Sequence, residues 1–151
     1  MGFSVSGATV VLFLGIFISF GMAYTAGNNG VEAIHAAYED STDDELDRQN
    51  TAVSIATASA ANDDGDVTLN VAVENTGSTT LSVNDTDILI DGNYTRHTSD
   101  NMLTLEVDEN DATDLWLSGE TLRFEISLDY EPSRVKVVTG PGVSAAAEVS
   151  D

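Results

Sequence analysis

The sequence predicts an all-β protein in which antiparallel strands form a β-sandwich behind a single N-terminal helix. Two observations lead to this prediction. An uncharged, apolar stretch precedes residue 32, and short segments of alternating apolar and polar residues begin near residue 51. We therefore divide the chain into a transmembrane anchor over residues 1–27, an acidic helical stalk over residues 28–50 and a β-sandwich domain over residues 51–151.

The anchor is predicted from residues 7–26, which read GATVVLFLGIFISFGMAYTA. A helix of about twenty apolar residues crosses a hydrocarbon core of ~30 Å at ~1.5 Å per residue. A cleaved signal peptide is the alternative, but it would begin with a positively charged segment, which the opening MGFSVS lacks. Gly15 and Ser19 present small side chains on one helix face, which favours close helix packing and makes a homo-oligomer a candidate state.

The orientation of the anchor is inferred from its short N-terminal tail. Neither flank carries a nearby lysine or arginine, so the positive-inside rule does not decide the orientation. Because so few residues precede the apolar stretch, we expect the N-terminus on the inner side of the cell membrane. The C-terminal domain then lies in the pseudoperiplasm, on the external side.

The stalk is predicted from Val31, Ile34 and Tyr38, which recur near helical spacing with acidic residues between them. The run from Asn28 to Gly30 is a candidate break just outside the membrane, and an unbroken helix is the alternative. A coiled coil would need three or more clean heptads, which this segment does not contain. The pattern therefore favours a solvated stalk.

The β domain is predicted from a change to a two-residue period. Turn signals separate the segments, among them Asn75-Thr76-Gly77, Asp91-Gly92-Asn93 and Gly140-Pro141-Gly142. About seven to nine short strands with such turns are typical of an antiparallel Ig-like sandwich. Trp116 is expected to be a core or rim aromatic, and a binding anchor is the alternative. The strand-forming runs lie near residues 53–57, 67–73, 81–83, 88–90, 94–98, 102–107, 115–117, 122–128, 135–137 and 143–149.

The charge excludes several classes of function. Lysine and arginine together number 5 against 26 acidic residues, so the formal net charge is −21, and the chain has no cysteine. So negative a chain repels phosphate backbones, which excludes nucleic-acid binding through a basic patch. Without cysteine there is no disulfide framework, thiol nucleophile or Cys-based zinc site.

The composition is typical of a halophilic protein. Aspartate is abundant, and Lys136 is the single lysine. At molar salt the Debye length falls to about 3 Å, which screens the self-repulsion of the carboxylates and leaves the surface well hydrated. An acidic protein from an organism of moderate salinity is the alternative, and its scarcity of lysine would need another cause.

No catalytic constellation is found, so we expect a protein that is not an enzyme and needs no cofactor. His35 and His97 are far apart in the sequence, and neither lies in an HExxH-like pattern. None of the serines lies in a Gly-x-Ser-x-Gly motif. Because acidic residues are so common, a pair of carboxylates arises by chance and does not indicate acid–base catalysis.

Two acidic clusters are candidate calcium sites. The run from Asp108 to Asp114 begins like an EF-hand loop but has Ala112 at the fifth position and Thr113 where glycine is required. Asp63, Asp64 and Asp66 form the second cluster. Solvated acidic turns are the simpler interpretation in this composition, so we predict no metal ligand, with a loop cation site as the alternative.

Two sequons lie in the part assigned to the outside. They are Asn84-Asp85-Thr86 and Asn93-Tyr94-Thr95. About two sequons are expected by chance at this content of Asn, Ser and Thr, so their number indicates nothing. Their place in an external domain makes Asn84 and Asn93 candidate N-glycosylation sites.

The chain resembles the haloarchaeal FlaF (ArlF) proteins, accessory components of the archaellum, the rotating motility filament of archaea. The resemblance covers nearly the whole chain and is carried by the start MGFSVSGATVVLFLGIFISFGMAYTA and by three later segments. These are NTAVSIATASA, NVAVENTGSTTLSVNDTDILIDG and TDLWLSGETLRFEISL, in this order. The related FlaG proteins are the alternative assignment.

The resemblance implies a membrane-anchored stator that lies between the cell membrane and the S-layer. Such a protein binds S-layer protein and acts with a FlaG-type component to hold the archaellum motor static. One alternative is an archaeal pilin or archaellin subunit, although the basic leader that such subunits carry before their processing site is missing here. A generic anchored Ig-like module that binds surface glycan or protein is another alternative, and a surface hydrolase is disfavoured.

Overall fold

A computed structural model of the chain describes residues 3–63 and 65–150. The chain divides into two compact units, Met1–Asp43 and Asp44–Asp151. One helix, α1 (Phe3–Asn50), is followed by ten strands. The strands are β1 (Val53–Asp63), β2 (Asp66–Asn75), β3 (Leu81–Ser82), β4 (Asp87–Ile90), β5 (Asn93–Thr95), β6 (Met102–Val107), β7 (Leu115–Trp116), β8 (Thr121–Leu128), β9 (Arg134–Val138) and β10 (Ser144–Glu148).

The N-terminal helix is long and apolar enough to cross a membrane. Its most apolar 18-residue window has a mean hydropathy of 2.0 and none of its surface is buried. Two of its hydroxyls are satisfied within the helix, because Ser19 Oγ donates to the Gly15 carbonyl at 2.8 Å and Thr25 Oγ1 to the Gly21 carbonyl at 2.9 Å. Such bonds remove the cost of leaving a polar group unpaired in lipid.

The helix is unbroken at the candidate break, since residues 28–30 are helical and the element continues to Asn50. A glycine inside a helix costs about 1 kcal/mol relative to alanine, which longer helical stretches on both sides can offset. No proline interrupts this segment. The residues assigned to the stalk therefore form the C-terminal half of α1.

The strands form two four-stranded sheets and a two-stranded ribbon. The first sheet has the order β1-β2-β8-β6, the second has the order β10-β9-β4-β5, and β3 pairs with β7. Every pairing between these strands is antiparallel. The predicted mostly-β chain with antiparallel strands behind one apolar helix is thus confirmed.

The C-terminal residues join one edge of each sheet. Ser150, which follows β10, forms a parallel bridge with Ser59 of β1. The Ser150 amide donates to the Ala58 carbonyl at 3.0 Å, and the Ala60 amide donates to the Ser150 carbonyl at 2.9 Å. The edges at β1 and β10 are therefore connected to each other by backbone hydrogen bonds.

Alternate residues of both sheets meet in one apolar core. In the first sheet Val71 lies opposite Phe124, and in the second Ile88 lies opposite Val137. The intervening residues of these strands are exposed or half-buried, as the two-residue period requires. The core cluster comprises Leu69, Val71, Val73, Leu81, Val83, Ile88, Ile90, Val107, Trp116, Leu122, Phe124, Ile126, Val135 and Val137.

Shortening Phe124 to alanine is expected to destabilise the β domain by about 3–5 kcal/mol, because this fully buried ring lies in the core of both sheets. Denaturant unfolding of the full chain in detergent and molar salt measures the loss. Fluorescence of Trp116, the single and fully buried tryptophan, reports the transition.

Arg123→Ala is the matched control, since Arg123 is the exposed neighbour on the same strand. A shift of the midpoint as large for this variant as for Phe124→Ala would contradict the assignment of the two faces of β8.

Candidate functional site

The C-terminal end of α1 is bound by the loop that follows β2. We call residues 47–52 together with residues 75–79 the helix clamp; all of them belong to the second compact unit. The Ser78 amide donates to the Asn50 carbonyl at 2.8 Å, and the Thr76 and Gly77 amides both donate to the Ala52 carbonyl at 2.9 Å. The last carbonyls of a helix have no partner within it. The loop supplies donors to the chain where the helix ends.

Two threonine hydroxyls add hydrogen bonds to the clamp at Asp47, in the last turn of the helix. Thr51 Oγ1 donates to the Asp47 carbonyl at 2.6 Å, and Thr79 Oγ1 reaches the same oxygen at 3.3 Å. Thr51 is buried, although it lies at the helix end. One hydroxyl from the residue after the helix and one from the β2–β3 loop therefore converge on the Asp47 carbonyl.

Asn75 joins the clamp to the core. Its side chain is fully buried, and its Nδ2 donates to the Thr79 carbonyl at 2.9 Å and to the Trp116 carbonyl at 3.1 Å. Its Oδ1 accepts from the Gly77 amide at 3.1 Å. Each polar atom of this buried amide thus has a partner, which is the condition for burying it without a large cost.

Gly77 lies against the end of the helix so closely that no side chain fits. A Cβ built on it would be 2.4 Å from the Ala52 nitrogen and 2.6 Å from the Asn50 oxygen, both backbone atoms. Ser118 Oγ donates to the Gly77 carbonyl and fixes the opposite side of the loop. The sequence indicated a turn at these residues but contained no signal for this long-range contact.

Trp116 is a core residue, as expected. Its ring is fully buried, and its Nε1 donates to the Glu120 carbonyl at 2.9 Å. The backbone amide of Asn75 donates to the same carbonyl at 3.0 Å. The indole therefore stabilises the turn that packs beside the helix clamp.

The EF-hand-like run is built from carboxylates and amides that cap the backbone. Asp108 Oδ1 accepts from the Thr121 amide at 3.1 Å, and Asp114 Oδ1 accepts from the Asn84 amide at 2.8 Å. Within residues 3–63 and 65–150 there is no group of three or more acidic, histidine or cysteine side chains placed to hold a metal ion. Asp64 of the second acidic cluster lies outside the described residues.

The two histidines lie in different compact units. His35 is exposed on α1, and His97 is half-buried after β5. The candidate glycosylation sites also lie on different elements, with Asn84 between β3 and β4 and Asn93 at the start of β5. Both asparagines are exposed.

The surroundings of Tyr130 change the pKa of its hydroxyl. Burial, with the nearby carboxylates of Asp91 and Asp129, raises the pKa of Tyr130 above its ordinary value of 10.0. Because the folded-state pKa is raised, the associated stabilisation is complete below the ordinary tyrosine pKa and is lost as pH rises through the folded value. Asp91 also accepts hydrogen bonds from the Ser133 and Arg134 amides, at 3.1 and 2.9 Å.

No protein-family model and no curated protein matches the chain. The candidate site is defined by its geometry within the second compact unit, the backbone clamp between the end of α1 and the loop that follows β2.

Replacing Gly77 by alanine is expected to destabilise the domain by about 1–3 kcal/mol, because the new methyl group would overlap backbone atoms that cannot turn aside. Denaturant unfolding of the full chain in detergent solution measures the loss of stability. Hydrogen exchange of the backbone amides of residues 76–79 is measured in the same samples. We expect these amides to lose protection even under conditions where the core strands stay folded.

Gly140→Ala is the control, because its Cβ would lie 3.3 Å from Asp85 Cβ and 3.7 Å from the Asp85 carbonyl oxygen, without the backbone overlap found at Gly77. Equal effects of the two substitutions on the amides of residues 76–79 would show that the close approach at Gly77 is unimportant.

Lowering the salt is expected to destabilise the β domain. From molar salt to about 0.1 M the Debye length grows from about 3 Å to about 10 Å, so the carboxylates of a chain with net charge −21 repel one another over longer distances. The melting temperature, followed by Trp116 fluorescence, should fall with salt. It should fall less for the double variant Glu74→Gln, Asp87→Asn, and a melting temperature independent of salt would contradict this account.

Proposed function

We propose that the protein is a non-enzymatic, membrane-anchored stator of the archaeal motility machinery, which binds the S-layer and holds the archaellum motor static. The observation that carries the proposal is the helix clamp. Its backbone hydrogen bonds attach a β domain directly to the end of a helix whose other part is apolar enough for a membrane. A stator needs such a connection, because it must resist torque at both ends.

The clamp suits a load-bearing connection better than a flexible linker would. Only Thr51 and Ala52 separate the helix from β1, and Thr51 is itself buried. Force on the β domain would reach the helix through hydrogen bonds to the carbonyls of Asn50 and Ala52. Gly- and Ser-rich linkers behave instead as random coils and transmit little torque.

We assign the β domain to the Ig-like sandwiches and place it on the external side of the membrane. Two four-stranded antiparallel sheets that share one core support the sandwich assignment. Its partners in this proposal are the S-layer protein, a FlaG-type archaellum component and the membrane. With long-range attraction screened at high salt, the S-layer contact relies on apolar fit and short hydrogen bonds.

Deleting the gene is expected to leave cells that do not swim, because the motor would turn without a fixed reference. Tracking of single cells and electron microscopy of filaments measure the two effects. The full chain should restore swimming, whereas a chain without residues 1–27 should not. Unchanged swimming of the deletion strain would leave only the generic surface-binding module.

The pilin alternative is tested by the mature N-terminus. Cleavage near Gly2, followed by incorporation of the chain into a filament, would contradict the stator. Co-purification with the S-layer protein in molar salt tests the partner, with Gly77→Ala as a variant that weakens the clamp. The stator is expected to recover S-layer protein, and no recovery would argue against anchoring to that layer.

The orientation is tested at Lys136, the single lysine of the chain. A membrane-impermeant amine reagent applied to intact cells should modify Lys136, as read by peptide mass spectrometry, if the β domain is external. Labelling only after the cells are lysed would place the domain inside.

A further inference from the structure

We propose that Asn93 is the N-glycosylated residue of the folded β domain and that Asn84 is not. The inference rests on the external placement of the domain in the proposed function. The two sequons are equivalent as sequence motifs, since each has threonine at its third position. The fold makes them chemically different, because transfer needs access to both the asparagine amide and the threonine hydroxyl.

The Asn93 sequon lies at a free edge. Asp91 and Gly92, with φ of 50° and 84°, form the two-residue turn between β4 and β5, and left-handed backbone at both positions is typical of a type I′ hairpin. β5 pairs with β4 on one side and is the last strand of its sheet. Asn93 follows this turn directly and is exposed.

The Asn93 and Thr95 side chains are available to an enzyme. Neither donates or accepts a side-chain hydrogen bond within residues 3–63 and 65–150. Thr95 is half-buried and Tyr94 is 60% exposed. A transferase can therefore bind the Thr95 hydroxyl and the Asn93 side-chain amide without breaking a side-chain hydrogen bond of the domain.

The Asn84 sequon is closed in the folded domain. Thr86 is only 1% exposed, and its Oγ1 donates to the Ser82 carbonyl at 2.8 Å. The backbone amides of Asn84 and Asp85 donate to Asp114 Oδ1 and to Ser82 Oγ, at 2.8 and 3.1 Å. Presenting the Thr86 hydroxyl to an enzyme would require this loop to unfold, which breaks these three hydrogen bonds and exposes the buried Thr86 side chain.

The transfer needs a lipid-linked oligosaccharide as co-substrate. A bond forms between Asn93 Nδ2 and the anomeric carbon of the sugar, while the bond from that carbon to the phosphate oxygen of the lipid carrier breaks. The proton of the amide passes to a base of the transferase, and the lipid phosphate leaves. No oxidant or reductant takes part.

A glycan at Asn93 would protect the edge of the second sheet. Unpaired edge strands invite association with other chains, and bulky solvated groups prevent it. The two four-stranded sheets have four edge strands, β1, β6, β10 and β5. The edges at β1 and β10 are joined through Ser150. If a glycan covers β5, β6 is the edge that stays open to a partner. In this way the modification would direct any strand addition to β6.

The test expresses the full chain in a haloarchaeal host that glycosylates external proteins and measures occupancy by glycopeptide mass spectrometry. We expect the glycan on the peptide that contains Asn93 and none on the peptide that contains Asn84. Asn93→Gln and Thr95→Val should each abolish the modification, whereas Asn84→Gln should leave it unchanged. Trp116 fluorescence verifies that each variant is folded.

A control variant separates failure of this inference from failure of the proposed function. It carries an unstructured Gly-Asn-Gly-Thr tail after Asp151, whose sequon is accessible wherever the domain is external. A modified tail with unmodified Asn93, or with glycan on Asn84, overturns the inference and leaves external placement standing. If neither the tail nor Asn93 is modified, external placement falls and the inference falls with it.

Discussion

The hydrogen bonds between the end of α1 and the loop after β2 are the constraint on which the rest of the domain depends. A helix that ends in a folded domain must have its last carbonyls satisfied, and here the Ser78 amide donates to the Asn50 carbonyl. The Thr76 and Gly77 amides donate to the Ala52 carbonyl, just beyond the helix. The loop can approach because Gly77 has no side chain. It is held in place by the buried amide of Asn75, which also binds the Trp116 carbonyl in the core. Helix end, loop and core are therefore one connected unit.

The acidic residues of the domain act as solvating groups and as caps of its loops. Asp91, Asp108 and Asp114 each accept hydrogen bonds from backbone amides of other segments. Each carboxylate thereby supplies an acceptor to a backbone amide that has no partner within its own turn. Hydrogen bonds to a charged acceptor are stronger than those between neutral groups. The core itself is apolar, apart from a few buried polar residues that are hydrogen-bonded. The carboxylates thus act at the surface and in the loops, outside the apolar core, and the proposed stator role depends on the clamp and the anchor.

The strands were predictable because alternation is a local property with a physical cause, the two faces of a sheet. The turn at Asp91 and Gly92 was also predictable from local sequence, since few residue pairs accept left-handed backbone. Whether the helix stops at Gly30 was not predictable, because its continuation depends on the long helical stretches on both sides. The clamp was also out of reach: Asn50 and Ser78 are far apart in sequence, and only the fold brings them together. The difference between the two sequons has the same origin, since burial of Thr86 is a tertiary property.

The central claim is that the connection between the anchor and the β domain bears load. It is tested most directly by inserting a flexible Gly-Ser segment into α1 between Ser41 and Thr42, before the second compact unit begins. An Ala-, Glu- and Lys-rich segment of equal length, which continues the helix, is the control. We predict that cells with the flexible insertion assemble filaments and retain S-layer binding but do not swim, while the helical insertion preserves swimming. Normal swimming with the flexible insertion would contradict it.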